Sequence, residues 1–366
     1  MRSTAMLALM AAMLECSARA PEKDPPALVA PPGFTVATYA TVPDARFMAL
    51  ASDGSVYVSA TYAGRIVRLV DNGHGVADSV QDVASGLDLP HGMAFHKGAF
   101  YVATHDGVVR FALDAGGRVT GKPVYVNHYT GDGGHNTRTV IFGPDSAMYV
   151  SIGSSCNLCV ERDSDRAVVM RYNEDGSDGH VFARGLRNAV GLAVSPATGA
   201  IWATQNERDN LPPDHEDLPP DELNILRSGG DYGWPYCYGD RIPSPEYHDA
   251  ARCAPTIPPA LGFQAHSAPL GITFLTNATM FPAAYRGDAL VAFHGSWNRT
   301  IPTGDKVVRV HVVKGLPVSY EDFISGWQRH DGSRLGRPVD VLVARDGSVL
   351  ISDDQAGMIY RVSRTG

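Results

Sequence analysis

The chain has 366 residues, with 31 Lys and Arg against 39 Asp and Glu for a net charge of −8, 44% hydrophobic residues, 38 Gly and 25 Pro. Such a chain folds around a sizeable core, and length leaves one or two domains open because all-β units run well past ~150 residues. Without a Lys/Arg block it cannot release counterions from a phosphate backbone, which argues against nucleic acid as a partner.

Residues 1–20 read as an export signal: Arg2, an apolar run from Ala5 to Leu14, then small residues ending in Ala18-Arg19-Ala20. Cys16 offers a lipoprotein signal as the alternative, although Glu15 stands where a small residue is expected. No apolar run reaches the ~20 residues of a membrane-spanning helix. The expected location is periplasmic or secreted, with a lipid anchor as the variant. Beyond Cys16, Cys156 and Cys159 form one close pair and Cys237 and Cys253 a wider one. Two local disulfides suit an oxidising compartment; a four-Cys zinc site would need two tight pairs, and a redox-active C-x-x-C would need a βαβ setting that is missing here.

From Phe47 onward one unit recurs: a short apolar strand, a turn rich in Asp, Gly or Pro, a second strand ending near Ser or Thr, and a third alternating strand. Copies begin at Phe47, Gly92, Thr139, Gly191, Gly271 and Asp340, spaced by 45, 47, 52, 80 and 69 residues. No long segment shows a 3.6-residue apolar period. Six repeats of a four-stranded unit predict an all-β, six-bladed β-propeller over residues 31–366. The strand around Phe34–Tyr39 is expected to complete the last blade; two β-sandwiches would leave the recurrence without a cause. The wide spacings predict long functional loops on one face, at residues 207–220, 231–269 and 294–305.

The chemistry-bearing residues cluster just ahead of first strands. No dinucleotide fingerprint, complete P-loop, Gly-x-Ser-x-Gly elbow or His-Glu-x-x-His is present. His135 precedes the third unit, and Arg187 and Asn188 precede the fourth. Equivalent positions of neighbouring blades converge on the axis, which would place a base, a cation and an amide together.

These segments carry a family resemblance. HNTRTVIFGPD, SIGSSCNLC, GLRNAVGL, LPPDELNIL with GGDYGWPYC, AHSAPLG and HGSWNR occur in family order. By them the chain resembles the soluble pyrroloquinoline quinone (PQQ) dependent glucose/sorbosone dehydrogenases, most nearly the sorbosone dehydrogenase-like branch. The resemblance implies oxidation of an aldose, sorbosone-like aldehyde or polyol, with electrons passed to an external acceptor such as a cytochrome or quinone. His135 corresponds to the general base, and Arg187 and Asn188 to the pair that binds PQQ and stabilises the reducing quinone oxygen. Arg337 corresponds to a cofactor-carboxylate arginine, His266 to a cofactor contact, and Arg299 to a cation of the preceding blade. For Ca²⁺, Glu207 and Arg208 correspond to carbonyl donors beside PQQ, and Asp221, Glu222 and the Tyr232 carbonyl to a structural site.

Plainer readings exist for these acidic residues: a solvated acidic turn for Asp221 and Glu222, and a surface ion pair with Arg208 for Glu207. Where glucose-oxidising members have an Asp beside the base this chain has Ser154, with Asp132 as a substitute; His91 stands near a family Gln, and Trp297 and Arg299 replace a Lys. A metal-dependent propeller lactonase and a non-catalytic glycan- or protein-binding propeller are the alternatives.

Overall fold

A computed structural model describes residues 27–129, 131 and 133–365. The export segment, Cys16 and Asp132 lie outside the described residues. Among those residues no helix is long and apolar enough to cross a membrane.

Six antiparallel sheets of four strands succeed one another, that of the third blade gaining a fifth strand. The inner strands of blades 1 to 6 are Ala45–Leu50, Met93–His96, Arg138–Phe142, Ala189–Val194, Pro269–Phe274 and Pro338–Val343. Each touches the inner strands on both sides, blade 6 meeting blade 1, so the fold is a closed six-bladed propeller. Phe34–Thr41 pairs antiparallel with Met358–Arg364, from Phe34 opposite Arg364 to Thr41 opposite Met358, as the outermost strand of blade 6.

Local chemistry sets the hairpins. In the Asp53-Gly54-Ser55 and Asp346-Gly347-Ser348 turns the carboxylate accepts the Ser N–H at 2.9 Å, and the Gly sits at φ +91° or +85° where an L side chain is strained. Apolar residues on both faces of each sheet then interleave with those of the next. Between blades 1 and 2 these are Ala49, Tyr57, Phe100 and Phe111; between blades 5 and 6, Leu290, Val307, Trp327 and Ile351. On the axis Phe47, Val190, Leu270 and Val339 pack together and fill the hub.

The opening residues of successive units approach closely. A Cβ on Gly92 would lie 2.5 Å from the Thr139 Cα, and one on Gly271 would lie 2.6 Å from the Asp340 Cα. Both disulfides, Cys156–Cys159 and Cys237–Cys253, are formed. Segments 207–220 and 294–305 join second to third strands of blades 4 and 5. Segment 231–269 differs from the one-face expectation: it arises between the third and fourth strands of blade 4, at the opposite strand ends, and includes the outer strand Leu261–Phe263. Just ahead of it, Gly230–Asp231 adds in parallel to His180–Arg184 of blade 3.

Asp340 accepts the Met48 N–H at 2.9 Å, joining blades 6 and 1 beside Gly271. Gly271→Ala is expected to lower unfolding free energy by about 1–3 kcal/mol through overpacking, read by chemical denaturation. An unchanged midpoint would mean that the inner strands spread without cost.

Candidate functional site

In an up-and-down propeller each link from an outer strand to the next inner strand emerges beside the axis. His135 lies three residues ahead of Arg138–Phe142, Arg187 and Asn188 immediately ahead of Ala189–Val194, His266 ahead of Pro269–Phe274, and Arg337 ahead of Pro338–Val343. All five line one cavity of about 240 Å³, together with Glu207, Asp209, Asp221, His294 and Trp297.

His135 has a defined tautomer. Nδ1 lies 3.1 Å from the Ser154 carbonyl and 3.0 Å from its Oγ, while that Oγ donates to the Cys156 carbonyl at 2.6 Å. A carbonyl only accepts, so Nδ1 carries the proton and Nε2 keeps its lone pair. Burial, with the Arg187 charge second, lowers the imidazole pKa from 6.5 to about 3. Ser154 itself therefore orients the base. Gly153 makes room for the arrangement, because a Cβ there would lie 2.6 Å from the His135 Cβ and 2.7 Å from the Asn188 Oδ1.

Arg187 is 5% exposed and spends every donor within the protein. Nε donates to the Asn157 carbonyl (3.1 Å), Nη1 to the carbonyls of Asn206 (3.2 Å) and Glu207 (2.8 Å), and Nη2 to Asn157 Oδ1 (2.9 Å) and Asp209 (3.2 Å). It offers the cavity a fixed positive charge rather than a free donor. Asn188 is the opposite case: its Oδ1 is buried and finds no partner among the described residues. Arg337 is half committed, with Nε and Nη2 donating at 2.8 Å to the carbonyls of His294 and Gly295 while Nη1 has no partner among the described residues.

His266 Nε2 donates to the His215 carbonyl at 3.0 Å, and its Nδ1 lies 3.7 Å from Asp209. Burial lowers its pKa.

Two expected cofactor contacts do not reach the cavity. The Arg299 guanidinium is drawn to Asp217 (2.9 Å), the Glu216 carbonyl and the Ile301 carbonyl (3.2 Å). His91 is fully buried in the hub, with Nδ1 3.1 Å from the Arg138 carbonyl, Nε2 3.4 Å from Arg46 and its ring against Phe47.

Of the expected Ca²⁺ ligands, Glu207 and Asp221 border the cavity, and Glu207 and Glu222 meet at the Gln205 amide. Asp221 and Glu222 are buried, not a solvated turn, but as neighbours on a strand they point to opposite faces. Asp221 accepts the Glu207 and Ala268 N–H groups at 2.9 Å, and burial raises its pKa to about 7. Glu222 instead accepts from Gln205 (3.1 Å) and Asn224 (3.0 Å). The Tyr232 side chain packs between blades 3 and 4, its hydroxyl donating to the Ile225 carbonyl. The carbonyls of Asn206 and Glu207 hold the Arg187 guanidinium, and Arg208 pairs with Glu246 at 2.6 Å rather than with Glu207. Among the described residues the one His/Cys/Asp/Glu group with metal-ligand spacing is Cys156, Cys159 and Glu161, whose sulfurs are in a disulfide.

Several functional neighbours escape sequence reading. His294 opens the HGSWNR segment and lines the cavity; its Nε2 lies 3.0 Å from Asp354, which also accepts from Arg46 at 2.5 Å. Asn157 and Asp209 matter only through Arg187, a contact between separate loops that no local pattern announces.

Comparison with known proteins places the chain in a family. The chain is 33% identical over 222 residues to an uncharacterized protein of Borreliella burgdorferi, covering 60% of this chain and 57% of that one. It is 29% identical over 333 residues to the pyrroloquinoline quinone-dependent sugar dehydrogenase of Hypocrea jecorina, covering 74% of each. A Trichoderma reesei carbohydrate-active enzyme of family AA12 superposes with a TM-score of 0.81 at 25% identity, over 93% of this chain and 98% of that one. The TrAA12-like family model matches residues 28–365, and the chain belongs to this family of PQQ-dependent sugar dehydrogenase propellers.

Proposed function

We propose that the chain oxidises a sugar hydroxyl, on an aldose, a sorbosone-like aldehyde hydrate or a related polyol, with PQQ held in the axial cavity and electrons leaving to an external acceptor in an exported compartment. The observation that carries this reading is that the His135 Nε2 lone pair, the Asn188 amide and one Arg337 amino group are uncommitted and border the same cavity. Such a set suits a rigid polyanion with carbonyl oxygens beside a hydroxyl substrate. When bound, PQQ supplies a two-electron acceptor for the hydride leaving the substrate carbon.

The residues do the rest. Arg337 Nη1 would hold a carboxylate of the quinone, and the Asn188 Nδ2 would donate to an oxygen that gains negative charge. Arg187 holds a positive potential at the wall without reorganising, because its donors are fixed by Asn157, Asn206, Glu207 and Asp209. His135 Nε2 accepts the hydroxyl proton while Nδ1–H stays on Ser154. Trp297, 72% exposed at the mouth, presents an aromatic face to a sugar ring. No step is assigned to Ca²⁺.

Reconstitution of apoprotein with PQQ followed by dye reduction over a sugar panel tests the reading; neither a cofactor spectrum nor turnover would remove it. His135→Ala is expected to lower turnover by about 10²- to 10⁴-fold with PQQ binding intact, and unchanged turnover would withdraw the base assignment. Arg337→Ala should weaken PQQ binding about 10- to 100-fold, the effect of losing one charged hydrogen bond, in an equilibrium titration.

The pH behaviour of the base has a definite sign. With its folded pKa depressed, the imidazole stays neutral as pH falls through the range where a free His charges. In the apoprotein the His135 ring should remain neutral between pH 7 and pH 5 by NMR, near ~6.5 being the ordinary midpoint. A midpoint there would show that solvent reaches the ring freely.

A further inference from the structure

We infer that the Cys156–Cys159 disulfide is a positioning device for the reaction, holding the base and the fixed cation in register through the two residues that flank and fill its ring, Ser154 and Asn157. The inference rests on the proposed roles of His135 and Arg187.

Residues 153–167 connect two strands of blade 3, Met148–Ile152 and Val168–Tyr172, without a ladder of their own. A connection of that kind samples many conformations unless side chains or covalent bonds restrain it. Here the restraint is applied where the site needs it. Ser154 receives His135 Nδ1 on its carbonyl and hydroxyl, and the hydroxyl is aimed by the Cys156 carbonyl at 2.6 Å. The Ser154 N–H donates to the Arg187 carbonyl at 2.7 Å.

Asn157 lies inside the disulfide ring and commits its carbonyl and its whole amide. The carbonyl accepts Arg187 Nε (3.1 Å) and Trp234 Nε1 (3.3 Å). Oδ1 accepts Arg187 Nη2 (2.9 Å) and the Asp209 N–H (2.8 Å), and Nδ2 donates to the Asp209 carbonyl (2.9 Å). Asp209 is the carboxylate that pairs with Arg187. A second tie, Ser155 N–H and Oγ to Glu161 at 2.7 Å, fixes the same turn. The peptide between the two sulfurs is thus the common support of His135 and Arg187, which belong to different interblade links. Without the bridge, the Cys156 carbonyl and the Asn157 amide keep their chemistry but lose their fixed positions. The Cys237–Cys253 bridge, whose Cys253 sulfur contacts the Tyr236 carbonyl, supports neither group directly and serves as the control.

The test compares a Cys156→Ser/Cys159→Ser double variant with a Cys237→Ser/Cys253→Ser double variant. The first should lose about 100-fold in kcat, as misplacement by about 1 Å does, with KM for sugar little changed and weaker PQQ binding in titration. The second should lose melting temperature without that kcat loss. In apoprotein, NMR of the His135 ring should show a single Nδ1–H tautomer in the parent chain and in the control, and tautomer exchange in the first variant. This last readout needs no quinone, so a parent chain that fails to bind PQQ would sink the functional reading alone. A His135 ring unaltered in the first variant, or kcat falling equally in both variants in step with melting temperature, would overturn the inference.

Discussion

The antiparallel pairing of Phe34–Thr41 with Met358–Arg364 is the constraint from which the site follows. Once the first and last strands share a blade the ring of sheets is closed, and six separate patches of apolar surface become six filled interfaces. Closure also fixes the tilt and spacing of the inner strands. Their starting residues come close enough for Gly92 to meet Thr139 and Gly271 to meet Asp340. The links that lead into those strands then have nowhere to end except around the axis. The cavity is a consequence of that convergence, and Phe47, Val190, Leu270 and Val339 pack together among the same inner strands.

Around the cavity the charges are paired with neighbouring protein groups. Burial alone would raise the Asp354 pKa, but the His294 hydrogen bond and the Arg46 charge hold its carboxyl well below the usual range. It thereby anchors His294, whose carbonyl in turn fixes Arg337. On the opposite wall Asp209 anchors Arg187. Each arginine thus arrives at the cavity through a carboxylate and a carbonyl, held in place before a ligand enters. Preorganisation of this kind costs stability in the resting protein and spares reorganisation during reaction.

The sequence made the ring legible because its signals are local: Asp-Gly turns, alternating strands and six similar openings. His135, Arg187 and Asn188 were legible for the same reason, since they hold equivalent positions ahead of inner strands, whereas His266 and Arg337 were reached through the family resemblance. What could not be read depends on which way a side chain turns within a loop. Arg299 has the right charge and neighbourhood, yet the Glu216 carbonyl and the Asp217 carboxylate of the 207–220 excursion take its guanidinium. Asp221 and Glu222 look like a ligand pair in one dimension, and strand alternation separates them in three. Asn157 carries no charge, and although it lies in the SIGSSCNLC segment its role shows only where three loops meet.

The same accounting separates dehydrogenation from metal-assisted hydrolysis. A hydrolytic propeller needs carboxylates converging on one cation. Three carboxylates do border this cavity, but Asp209 is held by Arg187 and Asn298, Asp221 by two backbone N–H groups, and Glu207 by Gln205 and the Arg208 N–H. The uncommitted groups are instead an imidazole lone pair, an amide and half a guanidinium. Those groups can take a proton from a hydroxyl and hold an anionic ring beside it, which is the work of a hydride-accepting site and leaves little for activating water.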